Sequence, residues 1–379
     1  MKTTVSLQAV NSYERQEVER GITTLLAPLG GIAAFVKPGQ RVLIKPNMLS
    51  GKSPEKAVTT HPEVVRAVIG LVLQAGGSPL VGDSPGVGTP RQVARRCGIL
   101  AVVEEMGAEF APFTDSVPAR IGNGTFQELQ IARDVVEADV IINLPKLKTH
   151  QMMGMTGAVK NLFGAVIGMR KPGLHLQAGE DKALFAKMLL ELAAHIRPAL
   201  TLVDAITAME GDGPGSGDPV HLGILMAGAE PLAVDRVAMD LLGLTEVQVW
   251  TQKVAAENHS AFCHLAEIDL FGPPLEDLRT KTFRPAKTTD VHFGVPRLLH
   301  RPLKKALSVL PCPDHHTCIR CGLCVTHCPP AAMAIRKEKL HIDYAKCIGC
   351  FCCQELCPYG AIDTRQGFLL RLLDSFSRR

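Results

Sequence analysis

The chain has 379 residues, 46% of them hydrophobic and 21% charged, with a formal net charge of +4. That length admits two domains, one with a sizeable core, and the near balance of charge excludes a global attraction to nucleic acid or to a membrane surface. One Trp and three Tyr are too few for a base-stacking or carbohydrate platform, and no apolar stretch reaches the roughly 20 residues of a transmembrane segment.

The N-terminus, Met1-Lys2-Thr3-Thr4-Val5, lacks the apolar run of a secretory signal, so a cytoplasmic location is expected. Helix signals begin at Ser12, and an amphipathic stretch runs to about Leu26 before Pro28 and Gly30-Gly31. Lys37-Pro38-Gly39-Gln40 turns the chain into a strand over 42–44. His61-Pro62-Glu63 opens a helix to Gln74, stopped by Gly76-Gly77, and a strand over 79–81 follows. Thr89-Pro90 is a cap and first-turn pair for a helix through Arg96. Aliphatic runs at 139–142, 200–203 and 222–226 read as further buried strands. Strands alternating with helices predict an α/β fold, a mostly parallel sheet flanked by helices.

Polar motifs stand where these strands end. They are Lys45-Pro46-Asn47, Gly82-Asp83-Ser84-Pro85-Gly86, Pro145-Lys146-Leu147-Lys148-Thr149-His150, and Asp204. Loops at the carboxyl edge of an open parallel sheet converge on one crevice. A substrate site is therefore expected from Lys45, Asn47, Asp83, Ser84, Lys146, Asn161 and Asp204, with Lys148, His150 and Lys160 as catalytic candidates. Lys45, Lys146, Lys148, Lys160 and Arg170 outnumber Asp83 and Asp204. The crevice should thus be positive and suit a carboxylate or phosphate. Gly154-Met155-Thr156-Gly157-Ala158-Val159-Lys160-Asn161 resembles a helix opening whose free N–H groups accept an anion. It lacks the Gly-Lys-Ser/Thr ending of a nucleotide loop. Met152, Met153 and Met155 read as packing residues rather than soft metal ligands. His150 and His175 are either proton donors, since imidazole titrates near neutrality, or hydrogen-bonded structural histidines. The Gly-rich acidic loop Glu210-Gly211-Asp212-Gly213-Pro214-Gly215-Ser216-Gly217-Asp218-Pro219 is a surface turn or a substrate loop, without the spacing of a calcium loop.

From Leu278 to Leu310 the chain becomes basic: Arg279, Lys281, Arg284, Lys287, Arg297, Arg301, Lys304 and Lys305 stand against Asp290. This reads as a linker with a short helix near 298–307, either simply solvated or docking an acidic redox partner or anionic lipid.

Two cysteine runs follow: Cys318-x-x-Cys321-x-x-Cys324-x-x-x-Cys328-Pro329 and Cys347-x-x-Cys350-x-x-Cys353-x-x-x-Cys357-Pro358. This is the spacing of a bacterial-type ferredoxin with two 4Fe–4S clusters, in which the fourth cysteine of each run ligates the other cluster. Cys318, Cys321, Cys324 and Cys357 are assigned to one cluster, and Cys347, Cys350, Cys353 and Cys328 to the second. Corresponding cysteines are separated by a constant 29 residues, which marks an internal duplication. Zinc favours two separated Cys-x-x-Cys pairs, and a disulfide framework does not suit a reduced compartment. Cys312 and Cys352 lie outside the ligand spacing. Past the runs, Phe368, Leu369, Leu372, Leu373 and Phe376 share one face of an amphipathic helix. The division expected is an α/β domain over 1–285, a linker over 286–311, a small α+β cluster domain over 312–365, and the terminal helix over 366–379.

The N-terminal part resembles the domain-of-unknown-function family 362, whose members are often fused to a two-cluster ferredoxin module. The resemblance rests on Leu43-Ile44-Lys45-Pro46-Asn47, Thr60-His61-Pro62, Val81-Gly82-Asp83-Ser84 and Leu144-Pro145-Lys146-Leu147-Lys148-Thr149-His150. It continues through Gly157-Ala158-Val159-Lys160-Asn161-Leu162-Phe163-Gly164, Val203-Asp204, Met209-Glu210-Gly211-Asp212-Gly213-Pro214 and Ala233-Val234-Asp235. That family has no settled reaction, so the resemblance implies an architecture and names no substrate. The expected function is iron–sulfur electron transfer, with a redox partner protein and an anionic small molecule reduced in the crevice. The alternatives are a ferredoxin-type carrier whose large domain docks a partner oxidoreductase, and non-redox chemistry with the clusters as redox sensors.

Overall fold

A computed structural model describes residues 2–86, 88–122, 126–168, 170–280, 282–287 and 309–366. The linker helix expected near 298–307 and the terminal helix over 366–379 fall essentially outside these residues.

Aliphatic residues at successive strand positions alternate between two cores, which is why the strands are buried on both faces. On β2 (Arg41–Pro46), Val42 and Ile44 face one core while Leu43 faces the other. On β7 (Val140–Leu144), Val140 and Ile142 join the first core and Ile141 the second. The first core is closed by helices Arg15–Leu26, Pro62–Gln74 and Ile99–Glu105, the second by helix Lys182–Ile196 and Trp250. Helix Pro62–Gln74 illustrates the local logic. His61 caps it by accepting from the Glu63 N–H at 3.2 Å, Pro62 fills the first turn, and Val64, Val65, Val68, Ile69 and Val72 form the buried stripe. The first helix begins at Arg15 rather than Ser12, because Ser12 turns back to bond Glu17 and the Glu14 N–H.

Among the described residues the main sheet has ten strands. With β1 (Thr3–Ala9), β3 (Ser78–Val81), β4 (Glu109–Phe110), β10 (Leu200–Glu210), β11 (Asp218–Gly228) and β12 (Ile268–Phe271), its order is β12-β1-β11-β10-β7-β2-β3-β4. Every pairing along this path is parallel except those of β11 with its neighbours β1 and β10. A separate hairpin joins β5 (Ser116–Arg120) to β6 (Glu128–Ala132). From β2 the chain crosses outward to β3 and β4, then returns to lay β7 on the other side of β2. The strand order therefore reverses between β2 and β7, where a crevice opens at the carboxyl edge.

One expectation changes here. Residues 146–150 are a strand, β8 (Lys146–His150), rather than a loop; β8 pairs with β10 in parallel and with β9 (Gly154–Thr156) antiparallel. The strand period of two places Lys146, Lys148 and His150 on one face and Leu147, which packs in a third core with Met155 and Val203, on the other.

The cluster module is two short hairpin-like pairs. β13 (Val309–Pro313) pairs with β16 (Ile362–Gln366), and β14 (Met333–Arg336) pairs with β15 (Lys339–Ile342). Val309 pairs with Gln366, which ties the segment just before residue 312 to the last strand of this module. The acidic loop is not a free turn. Arg284 bonds Glu210 at 2.6 Å and Asp218 at 2.7 Å, and Lys287 lies 3.5 Å from Asp212. Asp212 also accepts from Thr364 at 2.8 Å, so this loop ties the start of the basic segment to the cluster module.

Candidate functional site between the sheet edge and the cysteine module

The eight expected ligands ring two separate voids. One, enclosing about 380 Å³, is lined by Cys318, Cys321, Cys324 and Cys357, with Leu340 and Ile362 behind them. The other, about 310 Å³, is lined by Cys347, Cys350, Cys353 and Cys328. Each void thus combines three cysteines of one run with the fourth of the other. Among the described residues no three Cys, His, Asp or Glu side chains close on a single point. A lone zinc would require such convergence, with sulfurs about 2.3 Å from the metal, whereas a cubane requires a ring around a volume. The thiol of Cys328 accepts from the Ala332 N–H at 3.2 Å and that of Cys357 from the Ala361 N–H at 3.2 Å, so the duplication extends to hydrogen bonding.

A third pocket, enclosing about 680 Å³ and partly open to solvent, lies at the carboxyl ends of β2 and β3. Its α/β walls include Asn47, Asp83, Ser84, Lys148, His150, Lys160 and Asn161. Its remaining wall is Cys352, Glu355 and Leu356, all on the short helix Cys352–Leu356 of the cluster module. Cys353 of the same helix faces the second void, so one helical turn separates the two spaces.

Lysines dominate the charge. Lys45, Lys146 and Lys148 are each buried to within 1% of full coverage. Burying an ammonium costs several kcal/mol unless it is paired. Lys45 meets Asp83 at 2.7 Å and donates to the Asn161 carbonyl at 2.6 Å. Lys146 meets Asp204 at 2.6 Å and also donates to the Tyr13 hydroxyl. Among the described residues Lys148 has no carboxylate in contact; it donates to Asn47 Oδ1 at 2.9 Å and the Val58 carbonyl at 2.6 Å. Burial accordingly pushes the Lys148 pKa down to about 7, with Glu355 acting weakly the other way. Lys160 lies over the Phe163 ring, 5.2 Å from its centre, and donates no hydrogen bond among the described residues; burial lowers its pKa.

His150 Nδ1 accepts from the Met152 and Met153 N–H groups at 3.1 and 3.2 Å. Its hydrogen therefore sits on Nε2, which lies 2.9 Å from Glu355 Oε1, off the straight line of a full hydrogen bond. Burial, aided by Lys160, drives His150 down to about 4, so the imidazole is neutral near pH 7. For Glu355, burial acts to raise the pKa, but His150 and Lys160 outweigh it and the group stays a carboxylate. His175 is likewise neutral, pushed down to about 3 by burial, and its Nδ1 is buried without a partner.

The structure does not bring every expected site residue into this pocket. Lys146 and Asp204 form a separate buried centre with Tyr13 and the His61 N–H, which donates to Asp204 at 2.9 Å. Lys45 stands behind Asp83 rather than on the surface of the pocket. Arg170 points to Ser116, at 2.6 Å, while its neighbour Lys171 lines the pocket and donates to the Ser84 carbonyl. The helix opening at 157–159 is filled by a carboxyl group of its own chain: Asp235 accepts from the Ala158 and Val159 N–H groups at 2.5 and 3.0 Å, and burial pushes its pKa up to about 7. The glycines of that motif serve close approach. A Cβ on Gly157 would fall 2.1 Å from Asp235 Oδ1, and one on Gly164 would fall 2.0 Å from Asp83 Oδ1.

Sequence reasoning missed Lys171, Glu355 and the pocket role of Cys352. A signal for two of them was present. At the 29-residue offset Cys352 corresponds to Leu323 and Glu355 to Thr326, so the copies diverge where the second one faces the pocket.

Comparisons with known proteins find a family match in each part of the chain. The domain of unknown function (DUF362) matches residues 42–240, and a 4Fe–4S dicluster domain matches residues 317–361. A thylakoid-associated protein of Synechocystis sp. is 40% identical over 305 residues, covering 80% of this chain and 94% of that protein. Two solved structures share part of the chain course. The lactate racemase apoprotein of Thermoanaerobacterium thermosaccharolyticum has 13% identity and a TM-score of 0.38 over 61% of this chain and 55% of its own. A protein of Thermotoga maritima has 14% identity and a TM-score of 0.38 over 62% and 60%. Likeness at that level bears on no chemistry. The cysteine module supports an iron–sulfur electron-transfer role, and no helix among the described residues is long and apolar enough to cross a membrane. By the family match over more than half its length and by its close relative, the chain belongs to the DUF362 family, here joined to a 4Fe–4S dicluster domain.

Proposed function

We propose that this chain is an iron–sulfur-dependent reductase acting on an anionic small molecule bound between its two modules. One observation carries the reading: the lysine-lined pocket at the sheet edge shares a single helical turn, Cys352–Leu356, with the void ringed by Cys347, Cys350, Cys353 and Cys328. Two 4Fe–4S clusters held by the eight cysteines would supply electrons one at a time.

The chain's own residues bind, orient and protonate. Lys160 and Lys171 attract the anion, and the amides of Asn47 and Asn161, bonded to each other at 2.9 Å, fix the floor beside it. Lys148, with a pKa near 7, is suited to give a proton to the substrate as electrons arrive, leaving a neutral amine that burial tolerates. His150 contributes its Nε2–H as a neutral donor rather than as an imidazolium, and Glu355 holds that ring from the cluster side. Lys45–Asp83 and Lys146–Asp204 keep the strand ends in register beneath the site. The cluster thiolates must stay reduced until metallated, which favours a cytoplasmic setting.

The test is anaerobic purification of the full chain with mass-spectrometric identification of any retained small molecule, followed by binding and turnover with Lys148→Ala and His150→Ala. Loss of binding or turnover at unchanged iron content is expected. Full retention of both would refute the pocket as the site and favour a carrier whose large domain docks a partner.

A further inference from the structure

The two cysteine runs differ in what surrounds them. Cys350 and Cys353 are only 7% and 8% exposed and stand behind the pocket. Cys321 is exposed, and around it lie three outward-facing apolar side chains, Ile319 at 54%, Tyr359 at 52% and Ile335 at 41% exposure. A broad groove of about 710 Å³ flanks this patch, lined by His315, His316, Arg320, Lys337 and Lys339, and reaching Cys318. With Arg336, which pairs with Lys339, the exposed cations here number four against Asp314, which accepts from the His316 N–H at 2.9 Å, and Glu338, whose 3.7 Å contact with Arg320 leaves it 89% exposed.

Two of these cations, Arg320 and Lys337, sit in a backbone conformation that long side chains rarely adopt. Arg320 holds φ +61°, and the corresponding residue of the second copy is Gly349, at φ +65°. The first copy therefore keeps a long cation where its own duplicate uses the residue that fits that conformation freely. The turn between β14 and β15 likewise puts Lys337 and Glu338 at φ +46° and +58°, positions that Asn-Gly would fill most easily.

We propose that this face, an apolar centre with a basic rim beside the first void, docks an acidic electron-carrier protein. Charge complementarity selects the occupant: a carrier presenting carboxylates around its own redox centre is steered to the rim, while the apolar centre sets the contact. The step is outer-sphere. The carrier loses one electron, the cluster of Cys318, Cys321, Cys324 and Cys357 gains it, and no bond is made or broken. The cluster of Cys328, Cys347, Cys350 and Cys353 then lies between this surface and the pocket. The inference rests on the cluster module and is independent of what the pocket binds.

The test uses the full-length, metallated protein and measures cluster reduction by stopped flow. One reductant is a purified acidic 2Fe–2S ferredoxin, and the other is reduced methyl viologen, a small cation. With the ferredoxin, the wild-type rate should fall about tenfold or more between low and physiological salt, as for steered association. Arg336→Glu/Lys337→Glu/Lys339→Glu should slow the ferredoxin reaction about tenfold at low salt and leave or quicken the viologen reaction. The milder Lys337→Gln/Lys339→Gln should give a smaller slowing in the same direction, which guards against misfolding of the triple variant. Lys187→Glu, on an exposed turn of helix Lys182–Ile196 in the α/β domain, should change neither rate. Equal ferredoxin rates in wild type and both groove variants would overturn the proposal. So would binding to phosphatidylglycerol vesicles that the triple substitution abolishes while ferredoxin rates stay unchanged.

Discussion

The two cysteine runs repeat one pattern at an offset of 29 residues and sit in different surroundings. Their ligands, loops and N–H···S bonds superimpose at an offset of 29 residues, down to left-handed residues at Arg320 and Gly349, Gly322 and Phe351, and Ala331 and Gly360. Where the first copy has Leu323, an exposed Thr326 and His327, the second turns the equivalent Cys352, Glu355 and Leu356 toward the sheet edge. Cluster geometry constrains the cysteines and the turns between them, and it leaves the outward residues free to diverge. The divergent positions, more than the shared ones, mark where each copy meets something else.

The largest expected effect tests whether the copies are interlocked. Cys328→Ser should remove the cluster otherwise held by Cys347, Cys350 and Cys353, and Cys357→Ser should remove the other. In each case iron should fall from about eight to about four per chain. Iron analysis with EPR decides the matter, and loss of the cluster in the mutated residue's own run would break the crossed pairing. Next in size, Glu355→Ala should lower turnover about 100-fold at unchanged iron, by opening the wall and releasing His150. Thr326→Ala, the equivalent change in the first copy, should leave turnover unaltered.

A pH series then sharpens the pocket side of the comparison. Lys148 has a folded pKa of about 7, below its ordinary 10.5. Below pH 7 both folded and unfolded chains carry the charge, and its burial cost is felt in full. From pH 7 to 10.5 the unfolded chain holds a proton that the folded one lacks, so this group's penalty declines as pH rises. Lys148→Met should therefore stabilise the ligand-free protein by about 1–4 kcal/mol at pH 6, with the gain shrinking toward pH 10, as read by denaturant titration. Anion affinity in the wild type should move the other way, weakening as pH rises through 7. The smallest effect concerns backbone strain. Arg320→Gly should raise stability by about 0.5 kcal/mol, while Gly349→Ala should lower it by about 1 kcal/mol.

Much of the architecture was legible from local pattern. The capping pair Thr89-Pro90, the His61-Pro62 helix start and the aliphatic strands carry their own signals, and the structure places elements at Pro90–Arg96, Pro62–Gln74 and Arg41–Pro46 accordingly. The polar segment 146–150 misled, because nothing local marks Lys-Leu-Lys-Thr-His as a buried strand; its pairing with β10 and the partners of its lysines are tertiary. The same limit hid the split between two lysine centres. Strand ends that share an edge need not share a cavity, and Asp204 is claimed by Tyr13, His61 and Lys146.

The helix Cys352–Leu356 has one further consequence, which is thermodynamic. On the proposed function, a negative ligand beside it would raise the cost of adding an electron to a cluster held by Cys350 and Cys353, and the coupling would be reciprocal. Whatever factor the bound anion takes from the cluster's readiness to accept an electron, the reduced cluster takes from the anion's affinity. Occupancy of the pocket and oxidation state of the module would then be two readings of one free energy, and a titration of either would report on the other.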